Sequence, residues 1–125
     1  MRKQYNFWPG THGLDAWDVD RLIELSAEFP IVDFPIEEIR EIDTAYWSTG
    51  NNSMFTVRDF AGHFKLMMEA DLEFPIILNV DGRVMDGMHR ISKALAAGHK
   101  TIRAVRFDYQ PEPDFIDCVP EQLPY

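Results

Sequence analysis

The run Asp86-Gly87-Met88-His89-Arg90 places a carboxylate, a residue without a side chain, an imidazole and a guanidinium within five positions. Val84 and Met85 before it read as a strand, and Met88, Ile91, Ala94 and Leu95 recur at helical spacing, so a strand feeds a helix here. The first amide N–H groups of a helix have no partner within it, and its dipole adds partial positive charge. An anion such as phosphate satisfies both, and Gly87 leaves room for close approach. Arg90 can offer a forked guanidinium to phosphate oxygens, with Lys93 one turn on as a second cation. His89 can donate to the same anion or act as an acid or base near neutral pH. Asp86 either caps the helix or holds a metal accompanying the phosphate. A plainer account makes Asp86 the N-cap, gives Gly87 to the turn and leaves His89 and Arg90 on the surface.

Several elements must hold this junction in place. Pro75 to Val80 is an apolar run that reads as a buried strand, and Asp81-Gly82 supplies the hairpin turn to Val84 and Met85. The helix runs from Gly87 to Ala97, Gly98 follows as a left-handed C-cap, and a strand is expected from Thr101 to Phe107. Upstream, Val19, Leu22, Ile23 and Ala27 predict a helix from Asp18 to Phe29, with Asp15 or Asp18 as N-cap and Pro30 as its stop. Ile31, Val32 and Phe34 read as a short strand, and Pro35 opens a turn in which Ile36 and Ile39 pack down. Tyr46 to Ser53 reads as a loop.

Thr56 and Asp59 form a capping-box signature before a stripe of Val57, Phe60, Ala61, Phe64, Met67 and Met68, a helix ending near Asp71 or Leu72. His63, beside that stripe, reads as a packed or half-exposed helix residue rather than a ligand. Beyond Asp108, residues 108–125 form a proline-rich acidic tail with little pattern.

A chain of 125 residues with 46% apolar content fits one domain. Its net charge of −9 opposes contact with nucleic-acid backbones and anionic lipid surfaces. The charge is uneven: Arg83 to Arg106 is +5, leaving −14 elsewhere, which suits a small anionic ligand better than a long polyanion. Cys118 is the only cysteine, so no internal disulfide forms and a reducing compartment is expected. With no leader-like or membrane-spanning run, a cytoplasmic location is expected.

The stretch Pro75-Ile-Ile-Leu-Asn-Val-Asp-Gly-Arg-Val-Met-Asp-Gly-Met-His-Arg-Ile-Ser-Lys-Ala-Leu-Ala-Ala-Gly98 resembles the ParB N-terminal/sulfiredoxin superfamily. The similarity covers Phe74 to Phe107 and extends more weakly to Phe34-Pro35-Ile36-Glu37-Glu38-Ile39. It implies a single α+β domain over residues 1–125, with a small mixed β-sheet from the strands near Ile31, Ile76, Val84 and Ile102 packed against helices. The helix from Thr56 to Asp71 should cover one face of that sheet, and residues 1–30 should be an N-terminal helical addition.

The resemblance also implies a nucleotide (ATP, ADP or CTP, with or without Mg) at the loop from Asp86 to Arg90. Gly87, Met88 and His89 would give backbone N–H groups, and Arg90 and Lys93 would neutralise phosphate. Sulfiredoxins carry a cysteine where Met88 stands, and a thioether cannot act as nucleophile, so that activity is not expected. Partition proteins of the superfamily carry Gly-Glu-Arg-Arg and a downstream helix-turn-helix, neither of which has a counterpart in this sequence.

The serine-kinase branch has Asp-Gly-His-His-Arg, which Asp86, Gly87, His89 and Arg90 match and Met88 does not. Phosphotransferase or nucleotidase activity is therefore the nearest enzymatic analogy, with Asp43, Asp86 and His89 as candidate catalytic residues. By spacing Asp43 corresponds to the acid that orients an acceptor hydroxyl, and Glu41 is the other candidate. No separate protein metal site is expected. The alternative is a non-catalytic interaction or regulatory module that binds nucleotide as a signal and pairs with a protein partner or a second copy.

Overall fold

The computed structural model describes residues 3–48 and 55–125, which form an α+β fold of two sheets and three helices. Strands β1 (Tyr5–Pro9) and β2 (Leu14–Asp18) make an antiparallel hairpin that runs into helix α1 (Val19–Ser26). Strand β3 (Val32–Pro35) and two 3-10 turns, Ile36–Glu38 and Arg40–Asp43, come next, and helix α2 spans Val57–Glu69. Then follow β4 (Ile76–Leu78), β5 (Val84–Asp86), helix α3 (Met88–Ala96), β6 (Thr101–Arg106) and β7 (Phe115–Cys118). One sheet has the order β1-β2-β7 and the other β3-β6-β4-β5. The second is mixed: β4 and β6 are parallel, and β3–β6 and β4–β5 are antiparallel.

β4 explains why the apolar run from Pro75 does not alternate. Ile76 and Leu78 face a core shared with Ile36, Ile39, Met88, Ile91, Ala94 and Ile102, whereas Ile77 faces Trp17, Leu22, Met85 and Phe107. A strand covered on both sides has no polar face. The sheet is thus sandwiched between α3 with the 3-10 turns and α1 with β2. Asn79 and Arg83 close the β4–β5 turn through Asn79 N to Arg83 O at 2.8 Å, with Gly82 at φ +89°.

Gly87 sits at φ +113°, a left-handed conformation, and a Cβ there would lie 2.6 Å from the Ile76 Cγ2. Only glycine lets β5 turn into α3 while resting on β4. Gly87, not Asp86, is the N-cap position of α3, and Asp86 is the last residue of β5.

Three expectations need correction. The first thirty residues are not only helical, since a β-hairpin precedes α1; a turn closed by Gly10 N and Gly13 O at 2.6 Å joins its strands. The tail beyond Asp108 is not patternless, because β7 pairs with β2. Helix α2 does not cover a face of the sheet: it packs against α3, ends at Glu69, and none of its residues is buried. The loop expected from Tyr46 to Ser53 extends beyond the described residues at position 49. No helix among the described residues is long and apolar enough to cross a membrane.

Candidate functional site

Helix α3 opens without a side-chain cap, and its first internal bond runs from Ile91 N to Gly87 O at 3.0 Å. The amides of Met88, His89 and Arg90 therefore have no acceptor among the described residues. Met88 and His89 border a groove of about 350 Å³ between α3 and β1. Asp86, Gly87, Met88 and His89 form one wall, Tyr46 and Trp47 line it further along, and Tyr5, Asn6 and Phe7 form the wall opposite. Asn6 is only 8% exposed, and its Nδ2 is a buried donor without an acceptor among the described residues. An unmade bond to a buried amide costs about 1–3 kcal/mol, so a ligand acceptor within its reach would be strongly favoured.

His89 is not alone. Its Nε2 lies 2.8 Å from Nδ1 of His63 on α2, so one ring donates and the other accepts. Both rings stack on Trp47, with centroids 4.3 Å (His63) and 4.8 Å (His89) away and planes within 23°. Burial, then the neighbouring His63, pushes the His89 pKa down from its usual value, so the imidazole is neutral at pH 7. Burial and the nearby Glu41 and Asp86 carboxylates raise the Tyr46 phenol, which stays a protonated donor on the groove wall. His63, read from the sequence as a helix packing residue, is the direct partner of a site residue.

The cations expected to neutralise phosphate are turned inward. Arg90 donates through Nη2 to Asp86 Oδ2 at 2.8 Å and through Nη1 to the carbonyls of Phe74 at 3.0 Å and Pro75 at 2.7 Å. Lys93 donates to the carbonyls of Met68 at 3.1 Å and Ala70 at 2.6 Å, the open end of α2. Lys3, on the groove wall, bridges Asp18 and Asp20 at 2.8 and 3.1 Å. Arg90 and Lys93 thus build the site rather than face it, and the donors left beside the groove are the opening amides of α3.

Of the two candidate acids near the 3-10 turns, Asp43 is exposed and lines neither cavity. Glu41 borders a second cleft of about 110 Å³ beside Tyr46 and Trp47. Its Oε2 accepts from Val84 N at 2.8 Å, and its Oε1 is buried without a donor among the described residues. The geometry brings Asp86, Gly87, Met88 and His89 together, keeps Arg90 and Lys93 behind them, and leaves Asp43 outside. Among the described residues no three His, Cys, Asp or Glu side chains are grouped to hold a metal. No family model, curated protein or solved structure matches the chain.

Proposed function

We propose that this protein is a nucleotide-binding domain of the ParB/sulfiredoxin type, with the ligand's phosphate seated on the amides that open α3. The uncapped α3 terminus facing a groove with an unpartnered Asn6 donor is the observation that carries this reading. A phosphate there meets the amides of Met88 and His89 and the positive end of the helix dipole. Tyr5, Tyr46 and Phe7 give the remainder of the groove flat apolar walls suited to a base, with hydroxyl groups at their edges. The mixed sheet and the β5-Gly87-α3-β6 succession are of the kind the sequence resemblance implies.

The arrangement favours binding over turnover. Among the described residues Asp86 is the one acidic side chain on the groove wall, and Arg90 holds one of its oxygens. That donor set does not suit a resident magnesium ion, and any Mg would arrive with the nucleotide. Asp43 stands apart, so an acceptor hydroxyl in the groove would find only His89 as a base. Phosphotransferase or nucleotidase activity is the second reading. The specific feature in its favour is the His63–His89 pair, in which the neutral His89 imidazole can receive a proton beside the proposed phosphate position.

Calorimetric titration with ATP, ADP, CTP and inorganic phosphate, with and without Mg, tests the proposal, with product analysis alongside. Saturable binding of at least one nucleotide, competed by phosphate and weakened about five- to tenfold by Asn6→Leu, is expected. Absence of binding at millimolar ligand rejects the reading. Nucleotide turnover abolished by His89→Gln promotes the second one.

A further inference from the structure

Helix α2 exposes an apolar seam along its whole length. Val57 is 86% exposed, Phe60 59%, Phe64 44% and Met68 62%, and with Ala61 they share one side of the helix. The other side is occupied: His63 meets His89, and Lys93 holds the carbonyls of Met68 and Ala70. The N-terminus is closed by a reciprocal capping box between Thr56 and Asp59. The start of α2 thus carries a side-chain cap, and its exposed flank is apolar side-chain surface, which marks a protein contact.

We propose that this face is where two copies of the chain meet, their α2 helices packing antiparallel about a two-fold axis near Phe64. Charge selects the occupant. The chain carries −9, so two copies repel over most of their surfaces. Helix α2 is neutral by comparison, with Arg58 and Lys65 balancing Asp59 and Glu69, and repulsion is least there.

Arg58 and Glu69 lie eleven positions apart, which at 3.6 residues per turn returns them to the same flank at opposite ends of the helix. Neither has an ion partner among the described residues. An antiparallel two-fold sets Arg58 of each copy opposite Glu69 of the other, twice, while Phe60 and Phe64 of both copies interleave along the seam. A parallel pairing would set no Arg58 opposite a Glu69 and lacks this complementarity. The surface is self-complementary in both shape class and charge, as an isologous contact requires.

Sedimentation equilibrium of the full chain from micromolar to near-millimolar concentration tests the proposal. The expected mass is twice the 14.5 kDa of one chain, falling to that of one chain for Phe64→Glu, with the circular dichroism of the fold retained. If Phe64→Glu loses helix, Met68→Glu at the C-terminal end of the seam carries the same comparison. Arg58→Glu alone and Glu69→Arg alone each weaken the dimer at least tenfold, and the two together restore it. A wild-type chain of single mass at every concentration overturns the proposal and assigns the face to a different protein. A doubled mass that survives Phe64→Glu, or a double reversal that fails to restore the dimer, also overturns it.

Discussion

Helices α2 and α3 lie against each other, and each leaves a different kind of group unsatisfied. α3 buries Met88, Ile91 and Ala94 against the sheet, and its first amides are left open. α2 starts with a capping box in which the Thr56 and Asp59 amides are held by each other's side chains, and its apolar side chains are left open. Open backbone donors beside a groove call for a polar ligand, whereas an open apolar seam calls for another apolar surface. The two helices are tied by the His63–His89 bond and by Lys93 on the last carbonyls of α2, so the proposed ligand site and the proposed contact face share a boundary.

Glycines sharpen this contrast most. Gly87→Ala combines a left-handed backbone with a Cβ 2.6 Å from the Ile76 side chain, and it should lower stability by about 2–4 kcal/mol in urea unfolding. Arg90→Ala comes next. It leaves the Asp86 carboxylate and the Phe74 and Pro75 carbonyls without their donor, at a cost of about 2–3 kcal/mol. Loss of nucleotide affinity with unchanged stability would instead mean that Arg90 reaches the ligand directly.

On α2 the effects are smaller and can reverse sign. Thr56→Ala removes the cap and should cost about 1 kcal/mol, read as lost helical ellipticity. Gly62→Ala meets nothing within 4 Å and should stabilise by about 0.5–1 kcal/mol in the same unfolding assay. Destabilisation by Gly62→Ala would show that α2 is more tightly enclosed than its exposed face indicates.

The smallest effect is the pH dependence set by the histidine pair. His89 has its pKa lowered on folding from 6.5, so the unfolded chain takes up its proton first as pH falls. This contribution to stability is fully present above pH 6.5 and is lost as pH falls through the lowered folded value. Melting temperatures of wild type and His89→Gln should therefore converge as pH falls below 6.5. Curves that stay parallel throughout would remove the pair from the account.

The central unit was legible because its signals are local. The apolar run at Pro75, the Asp81-Gly82 turn, Gly87 and Gly98 each dictate structure within a few residues, and the strands, turn and helix lie near their expected bounds. The capping box at Thr56 was equally readable. What escaped depends on distant partners. β7 has four residues among prolines and exists by pairing with β2, nearly a hundred residues earlier. The β1 wall of the groove gave no strand pattern in Met1 to Phe7 that could be separated from its mixed aromatic composition. Arg90 and Lys93 were read as ligands for an anion because their acceptors are mostly backbone carbonyls, which leave no mark on a sequence. His63 read as a lone histidine because its partner is 26 residues away.

Titration of the ¹⁵N-labelled chain with inorganic phosphate and then ATP, followed residue by residue in amide spectra, tests the main claim most directly. The amides of Met88, His89 and Arg90 should shift first and furthest, saturably, with the Asn6 side-chain amide moving at the same midpoint. If those resonances hold still while others move, or if none moves at millimolar ligand, α3 does not receive an anion.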